Sequence, residues 1–353
     1  MPGRPAPLAP SVAAVRAAAR RALSGVGSGG GAGAGTPLVL VACSGGADSM
    51  ALAAAAAFVA PRLGWRAGLI TVDHRLQPGS AAQAEKVAVW ARGAGLDPVE
   101  AVGVEVAGRR GGPEAAARQA RYAALAAAAA RHGAAAVALG HTRDDQAETV
   151  LLALGRGAGP RGLAAMPARR DTGGVAWVRP LLAVTRQQTA QACRALGLDP
   201  WPDPHNVDPS YARVRVRMGA LPALVEALGV RVVDNLARTA TQLARDNATH
   251  DALATAALDA ARTPDGALAV VALADQPEAV RGRALHAWLR ELGVPGSALS
   301  HRHVAALEAL VTGWRGQGPA SLPGGVTVRR RASLLLAVRG GAAGRDADRD
   351  GPA

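Results

Sequence analysis

Residues 38–50 read LVLVACSGGADSM. The run opens with Leu38, Val39, Leu40, Val41 and Ala42, apolar and rich in β-branched side chains, as a parallel strand buried on both faces requires. Ser44, Gly45, Gly46 and Ala47 follow, small enough for a tight turn. Asp48 and Ser49 then lead into an Ala/Leu stretch of high helix propensity from 50 to 57. A strand, a glycine turn and a helix N-terminus aim several backbone N–H groups at one small volume, which suits phosphate oxygens. The turn has neither the Lys of a Walker A loop nor the G-x-G-x-x-G spacing. Taken alone it also fits a plain turn between a core strand and a core helix.

Working outward, apolar strand candidates at 38–42, 67–72, 99–106, 135–140 and 175–178 alternate with helical stretches at 50–60, 81–93, 114–131 and 145–154. That alternation predicts an α/β domain with a parallel sheet covered on both faces. In such folds ligands bind beyond the carboxyl ends of the strands, at a topological switch point. Ser44, the pair Asp73-His74 and His141 all fall at strand ends, so three chain-distant polar groups converge on one rim. Downstream, the pattern predicts a helix at 185–196, a Pro/Asp/Asn-rich loop at 201–210 and a basic segment at 212–228 that becomes helical. A long helix at 232–261 follows, then a small mixed α/β unit with a strand at 268–273, helices at 277–292 and 301–311, and a turn with strands at 322–328 and 332–338. Upstream, Ser11 caps a short helix to Leu23, and 24–36 is almost entirely Gly, Ala and Ser. The expected division is a flexible lead-in at 1–36, a nucleotide-binding domain at 37–222, a helical linker with the small mixed domain at 223–340, and a disordered tail at 341–353.

A chain of 353 residues, 49% hydrophobic and 19% charged, has enough apolar side chains for two full cores and is not of disordered composition. Aromatic residues are only 3%, so those cores rest on Ala, Leu and Val. The formal net charge is +13, and Lys86 is the only lysine among 40 basic residues. A drift toward Ala, Gly and Arg accounts for part of that charge; the remainder favours a polyanionic partner. Cys43 and Cys193 have neither C-x-x-C nor metal-ligand spacing. No signal peptide and no membrane span is expected, which predicts a cytoplasmic protein.

The second informative stretch is GHTRDDQAET, residues 140–149. Asp144 and Asp145 sit where a strand ends and a helix begins. Either holds Mg²⁺ through oxygen ligands or binds an ammonium ion. His141 has the chemistry of an acid, a base or a phosphate donor. An N-terminal capping box made by Asp144 or Asp145 with Glu148 accounts for the same acids, and both readings hold together.

SGGADS resembles the SGGxDS pyrophosphate loop of ATP pyrophosphatases that adenylylate their substrates. GHTRDDQAETVLLALGRGAGPRGLAAM resembles the signature of the tRNA(Ile)-lysidine synthetases, the TilS family. VDHRLQPGS at 72–80 is similar to the family's VDHxLRPxS, with Gln77 where Arg is usual and Arg75 nearby to compensate. EAAARQARY at 114–122 matches its E-x-x-AR-x-x-RY helix, and Arg179-Pro180-Leu181-Leu182 its RPLL. Asp203 to Asp208 followed by Arg213, Arg215 and Arg217 resembles its DxSN and R-N-x-x-R segments, with His205 for Ser and Val214 for Asn. LPGGVTVRRRASLLLAV resembles its small C-terminal domain.

This resemblance implies a PP-loop ATPase (adenine nucleotide alpha hydrolase-like) domain that ligates L-lysine to C2 of the wobble cytidine of CAU-anticodon tRNA(Ile). The route runs through an O2-adenylylated intermediate, with release of AMP and diphosphate. ATP would be held by Ser44, Gly45, Gly46, Ala47, Asp48, Ser49, Asp73 and His74. Arg118, Arg121, Asp144, Asn206, Arg213 and Arg217 would bind the substrates. Asp48 and Asp145 would hold Mg²⁺, and Asp48, His141 and Asp145 would serve catalysis, with His141 or Asp145 taking the proton of the lysine amine. The alternatives are another adenylylating enzyme such as a tRNA thiolase, and a tRNA-binding protein without catalysis. No stable protein partner is expected; a homodimer is left open.

Overall fold

The computed structural model describes residues 8–27, 35–75, 79–105, 113–204, 207–296 and 298–339. Two compact units divide the chain, Met1–Ala244 and Arg245–Ala353. The expectations for 1–7, for 28–34 and for the 341–353 tail lie outside the described residues.

In the first unit, α1 (Pro10–Ser24) precedes β1 (Leu38–Ala42), α2 (Ala47–Val59), β2 (Arg66–Asp73), α3 (Ser80–Gly93), β3 (Val99–Gly103), α4 (Pro113–Arg131) and β4 (Ala136–Leu139). There follow α5 (Arg143–Leu154), α6 (Pro160–Leu163), β5 (Arg169–Thr172), β6 (Val175–Val178), α7 (Arg186–Ala195), α8 (Ala212–Arg215), a π turn at Val216–Ala220, α9 (Leu221–Leu228) and α10 (Val232–Ala261), which from Arg245 onward belongs to the second unit. The sheet order is β3-β2-β1-β4-β6-β5, parallel except for the β5–β6 pair. Strand order reverses between β1 and β4, and the crevice there is where an open α/β sheet takes its ligand.

The alternation along β1 explains its double burial. Val39 and Val41 join the core shared with α1, α2, α3 and α7, whereas Leu38 and Leu40 join the opposite core with Leu125, Ala128 and Ala129 of α4. Alanines on these helices let backbones approach closely, so a core with few aromatics still packs without large gaps.

Several elements depart from the sequence reading. Within the stretch expected as a flexible lead-in, α1 is packed: Val12, Val15, Ala18 and Leu23 lie in the first core. β5 was not expected because Arg169-Arg170-Asp171-Thr172 has no apolar side chain; it pairs as an exposed edge through a two-residue Gly173-Gly174 turn, both at positive φ. The strand expected at 268–273 stops after β7 (Leu268–Ala269). Val270 and Leu273, three apart, then bury one face of the short helix α11 (Val270–Ala274).

The second unit continues with α12 (Glu278–Glu291), α13 (His301–Thr312), β8 (Ala320–Leu322), β9 (Val326–Arg331) and β10 (Leu334–Arg339). Its four-stranded antiparallel sheet, ordered β7-β10-β9-β8, covers a core centred on Trp288. Among the described residues no helix is long and apolar enough to cross a membrane.

Candidate active site

The turn after β1 is tied by one hydroxyl. Ser49 Oγ accepts from the Ser44 N–H at 3.2 Å, donates to the Gly46 carbonyl at 2.9 Å and lies 3.3 Å from Ser44 Oγ. Gly45 sits at φ +87°, and its carbonyl accepts from the Trp201 N–H at 2.9 Å. Gly46 begins α2 without any side-chain cap, so its first-turn amides are left for a ligand. The end of β4 approaches this turn closely. A Cβ on Gly140 would lie 3.1 Å from Ser49 N and Cα and 3.3 Å from the Asp48 carbonyl carbon. Gly140→Ala must therefore displace backbone at the start of α2. It is expected to lower turnover at this site about tenfold or more, since catalysis tolerates little misplacement, with stability lowered by roughly 1 kcal/mol; steady-state kinetics beside a thermal melt would check it.

The acids come from α5. Thr142 is the N-cap: its hydroxyl and N–H donate to Asp145 Oδ2 at 2.9 and 2.8 Å, and Asp145 fills the third helical position. The capping box is thus Thr142 with Asp145, rather than Asp144 or Asp145 with Glu148, because the threonine hydroxyl stands one residue before the helix. Glu148, one turn further on, is fully buried. It meets Arg217 at 2.8 Å, Arg186 at 3.1 Å and Arg213 at 3.6 Å.

Arg186, the first residue of α7, joins the two halves. Its guanidinium lies 3.8 Å from Asp48, 3.1 Å from Asp145 and 3.1 Å from Glu148, and its backbone N–H donates to Asp144 at 2.8 Å. From the next turn, the Thr189 hydroxyl donates to Asp48 Oδ1.

These surroundings set the charges. Burial pushes the Asp48 carboxyl up to about 6, with Asp145 and Asp144 adding to the rise against Thr189 and Arg186. Burial also raises Asp145, but Arg186, the Thr142 N–H and other positive neighbours outweigh it and hold that carboxyl below its usual range. His141 is driven down to about 3 by burial, with Arg179, Arg121 and Arg118 contributing, so its imidazole is neutral at physiological pH; its buried Nδ1 has no protein partner. Burial lowers Arg121, and the other groups acting on it are Tyr122, Arg118 and Arg213, with no carboxylate among them. A half-buried guanidinium in that position, facing the cleft, suits an anion.

All this opens on a cleft of about 810 Å³, a size suited to a nucleotide. Of the residues singled out from sequence, Ser44, Gly46, Ala47, Asp48, Ser49, Asp73, His74, Arg121, His141, Asp145 and Arg217 line it. Arg75 lines it too, its guanidinium close against Gly103. Gly45, Asp144, Arg118 and Arg213 do not line the cleft. Gly45 shapes the loop, Asp144 holds the Arg186 backbone, Arg118 lies 4.9 Å over the Tyr122 ring, and Arg213 bonds Thr149 and stands 3.7 Å from Asp145. Val214 is buried in α8. Asn206, with His205 and Gln77, lies outside the described residues. Sequence reasoning missed Arg186, Thr189, Gln83 and Trp201 and read Glu148 only as a cap partner. Arg186 was within reach, since it opens a helix announced by the capping box Thr185-x-x-Gln188.

Comparison with known proteins places the chain. Residues 23–224 match the family description PP-loop domain, and residues 268–335 match TilS substrate binding domain. A tRNA(Ile)-lysidine synthase of Salinispora tropica is 66% identical over 337 residues, covering 96% of this chain and 99% of that one. The chain belongs to the tRNA(Ile)-lysidine synthase family. Lysidine synthases of Streptomyces coelicolor and Thermobifida fusca are 58% and 53% identical, covering 85% and 93% of this chain and 84% and 97% of theirs. Among solved structures, a U34-tRNA thiolase of Methanococcus maripaludis superposes with a TM-score of 0.51 at 15% identity, over 65% of this chain and 80% of its own. That likeness extends the fold, and the fold only, beyond the lysidine synthases.

Proposed function

We propose that the protein joins L-lysine to C2 of the wobble cytidine in the CAU anticodon of tRNA(Ile), with ATP converted to AMP and diphosphate. The observation that carries this reading is the reach of Arg186, which meets Asp48 of the loop and Asp145 of α5 at once. The phosphate cradle and the acid pair therefore share one charged centre.

A pyrimidine carbonyl oxygen is a poor leaving group, so an amine does not displace it directly. Cytidine O2 first attacks the α-phosphorus of ATP, and the bond to the bridging oxygen breaks as diphosphate departs. The ε-amine of lysine then attacks C2, and AMP leaves carrying O2. The first step needs positioning and charge neutralisation above all. The α2 amides and Arg121 provide donors for phosphate oxygens, and Arg217 extends the positive wall. Lysine arrives as an ammonium of pKa about 10.4. Asp145, ionised and lining the cleft, attracts it and passes its proton on to solvent, since a carboxylate held below its usual range does not keep it, while neutral His141 offers a hydrogen bond. A divalent cation fits this donor set. The carboxylates are hard oxygen ligands, Thr189 and Arg186 offset the Asp48 charge only in part, and Mg²⁺ needs only one or two carboxylates beside substrate phosphates. Asp48, with Asp145 across the cleft, would hold Mg²⁺, which would supply charge neutralisation for the phosphates. Among the described residues no group of three or more His, Cys, Asp or Glu is arranged for a metal, so the phosphates must complete any such site.

The thiolase reading is not favoured. Cys43 and Cys193 are both buried, and burial raises both thiols, so neither is a ready sulfur nucleophile. A tRNA substrate supports a cytoplasmic place for the reaction. The deciding experiment incubates the protein with ATP, labelled lysine and a CAU-anticodon transcript and then analyses the nucleosides. Label on cytidine supports the reading; ATP consumption without label on the RNA sinks it. With a net charge of +13, tRNA affinity is expected to fall by about 10³-fold between roughly 50 and 200 mM salt. A flat salt response in a filter-binding titration would remove the electrostatic part of the argument.

A further inference from the structure

The charged wall of the cleft accounts for phosphates and amine, but a purine base needs a flat apolar surface. Among the described residues lining the cleft, Trp201 is the only Phe, Tyr or Trp. Aromatics are rare in this chain, and the other tryptophans have packing roles. Trp65 and Trp90 serve the first core, Trp288 the second, Trp177 stacks at 5.3 Å on Tyr122, and Trp314 lies 4.8 Å below the Arg330 guanidinium. Trp201 belongs to none of the hydrophobic clusters described and is half-buried.

Its backbone is fixed beside the loop. The Trp201 N–H donates to the Gly45 carbonyl at 2.9 Å, its carbonyl accepts from the Asp203 N–H at 3.1 Å, and Pro200 and Pro202 flank it. Asp199, two residues earlier, pairs with Lys86 of α3 at 2.8 Å; both side chains are well exposed, so this contact adds little to the anchoring. A Cβ on Gly45 would come within 2.8 Å of Gln83 Nε2, which puts α3, the loop and the Trp201 segment side by side. The loop thus has a charged flank, with Arg186 and Asp145, and an opposite flank formed by Trp201, Gln83 and the end of β2. For a nucleotide whose phosphates rest on residues 46–49, that second flank offers its base a flat aromatic face, Trp201 between Pro200 and Pro202, with the charged Asp73, Arg75, Asp199 and Asp203 around it.

Resting on the ATP reading above, we propose that Trp201 is the stacking platform for the adenine ring and a determinant of nucleotide affinity. Base–aromatic stacking is worth enough that its loss is read as roughly a 5- to 100-fold change in dissociation constant. The test titrates wild type, Trp201→Phe and Trp201→Leu with the α,β-methylene analogue of ATP, without tRNA, by calorimetry. A parallel titration uses a CAU anticodon stem-loop without nucleotide. The Leu variant is expected to lose at least about tenfold in analogue affinity and the Phe variant less than about threefold, with the stem-loop affinity unchanged in both. The analogue should quench tryptophan emission in wild type and clearly less in Trp201→Phe. Equal losses in Phe and Leu would mark a structural strap and overturn the proposal. So would wild-type affinity in the Leu variant, or a loss confined to the stem-loop, which would assign the platform to an RNA base. If wild type itself binds no analogue, the ATP reading fails and this proposal with it; if wild type binds and the variants match it, only this proposal fails.

Discussion

Asp48→Asn is expected to abolish AMP formation, by at least about 10³-fold, and yet to make the nucleotide-free protein harder to unfold. Burial lifts this carboxyl from 3.8 to about 6, so the folded chain holds its proton more tightly than the unfolded chain does. Below pH 4 both states are protonated and the group is neutral toward stability. As pH rises from 4 to 6 the unfolded state ionises first, and above 6 the full penalty applies, up to about 3 kcal/mol for a shift of roughly two units. Asn keeps an oxygen for the Thr189 hydroxyl and needs no counter-charge. The gain should therefore appear at pH 8 and vanish near pH 4 in denaturant melts without nucleotide or metal. A variant that is less stable than wild type at pH 8 would show that Asp48 is not held against its own preference. The same comparison bears on mechanism, because a carboxylate retained at a cost to folding is one retained for its charge.

Glu148→Gln should act in the opposite direction. Its fully buried carboxylate is the shared partner of Arg186, Arg213 and Arg217. Removing the charge leaves three guanidiniums with Asp145 as their main counter-ion, and breaking a buried ion pair on one side typically costs about 3–5 kcal/mol. In a unit of this size the midpoint of thermal unfolding should fall by about 10 °C. Turnover should fall too, because Arg186 is no longer held between the loop and α5. A loss under about 1 kcal/mol would mean that the arginines find other partners.

The two substitutions also mark how far the sequence could be read. The 38–50 stretch, the strand–helix alternation and the acid doublet are local patterns, and they located the switch point and most of the cleft. Glu148 and its partners are not local. Arg186 lies 38 residues away and Arg217 lies 69. No periodicity or capping rule relates positions so far apart, so their pairing follows only from how α5, α7 and the π turn pack. Local chemistry was also misassigned where two readings competed. Asp145 is both the third residue of a capping box and a cleft acid, and the cap it answers to is Thr142, whose hydroxyl carries less signal than the acid doublet beside it. β5 was hidden for the converse reason, because its pairing comes from a glycine turn and carries no hydrophobic signal. Trp201 lay in a Pro/Asp-rich loop whose composition says nothing about the cleft it lines.

The chain's single side-chain amine, Lys86, sits on α3 and does not line the cleft; it is engaged with Asp199. A guanidinium stays protonated and is a feeble nucleophile. The activated cytidine proposed above, held among Arg121, Arg186 and Arg217, would therefore meet no side-chain amine among the described residues lining the cleft to compete with the incoming amino acid, and the enzyme would be spared from joining its own lysine to its substrate RNA.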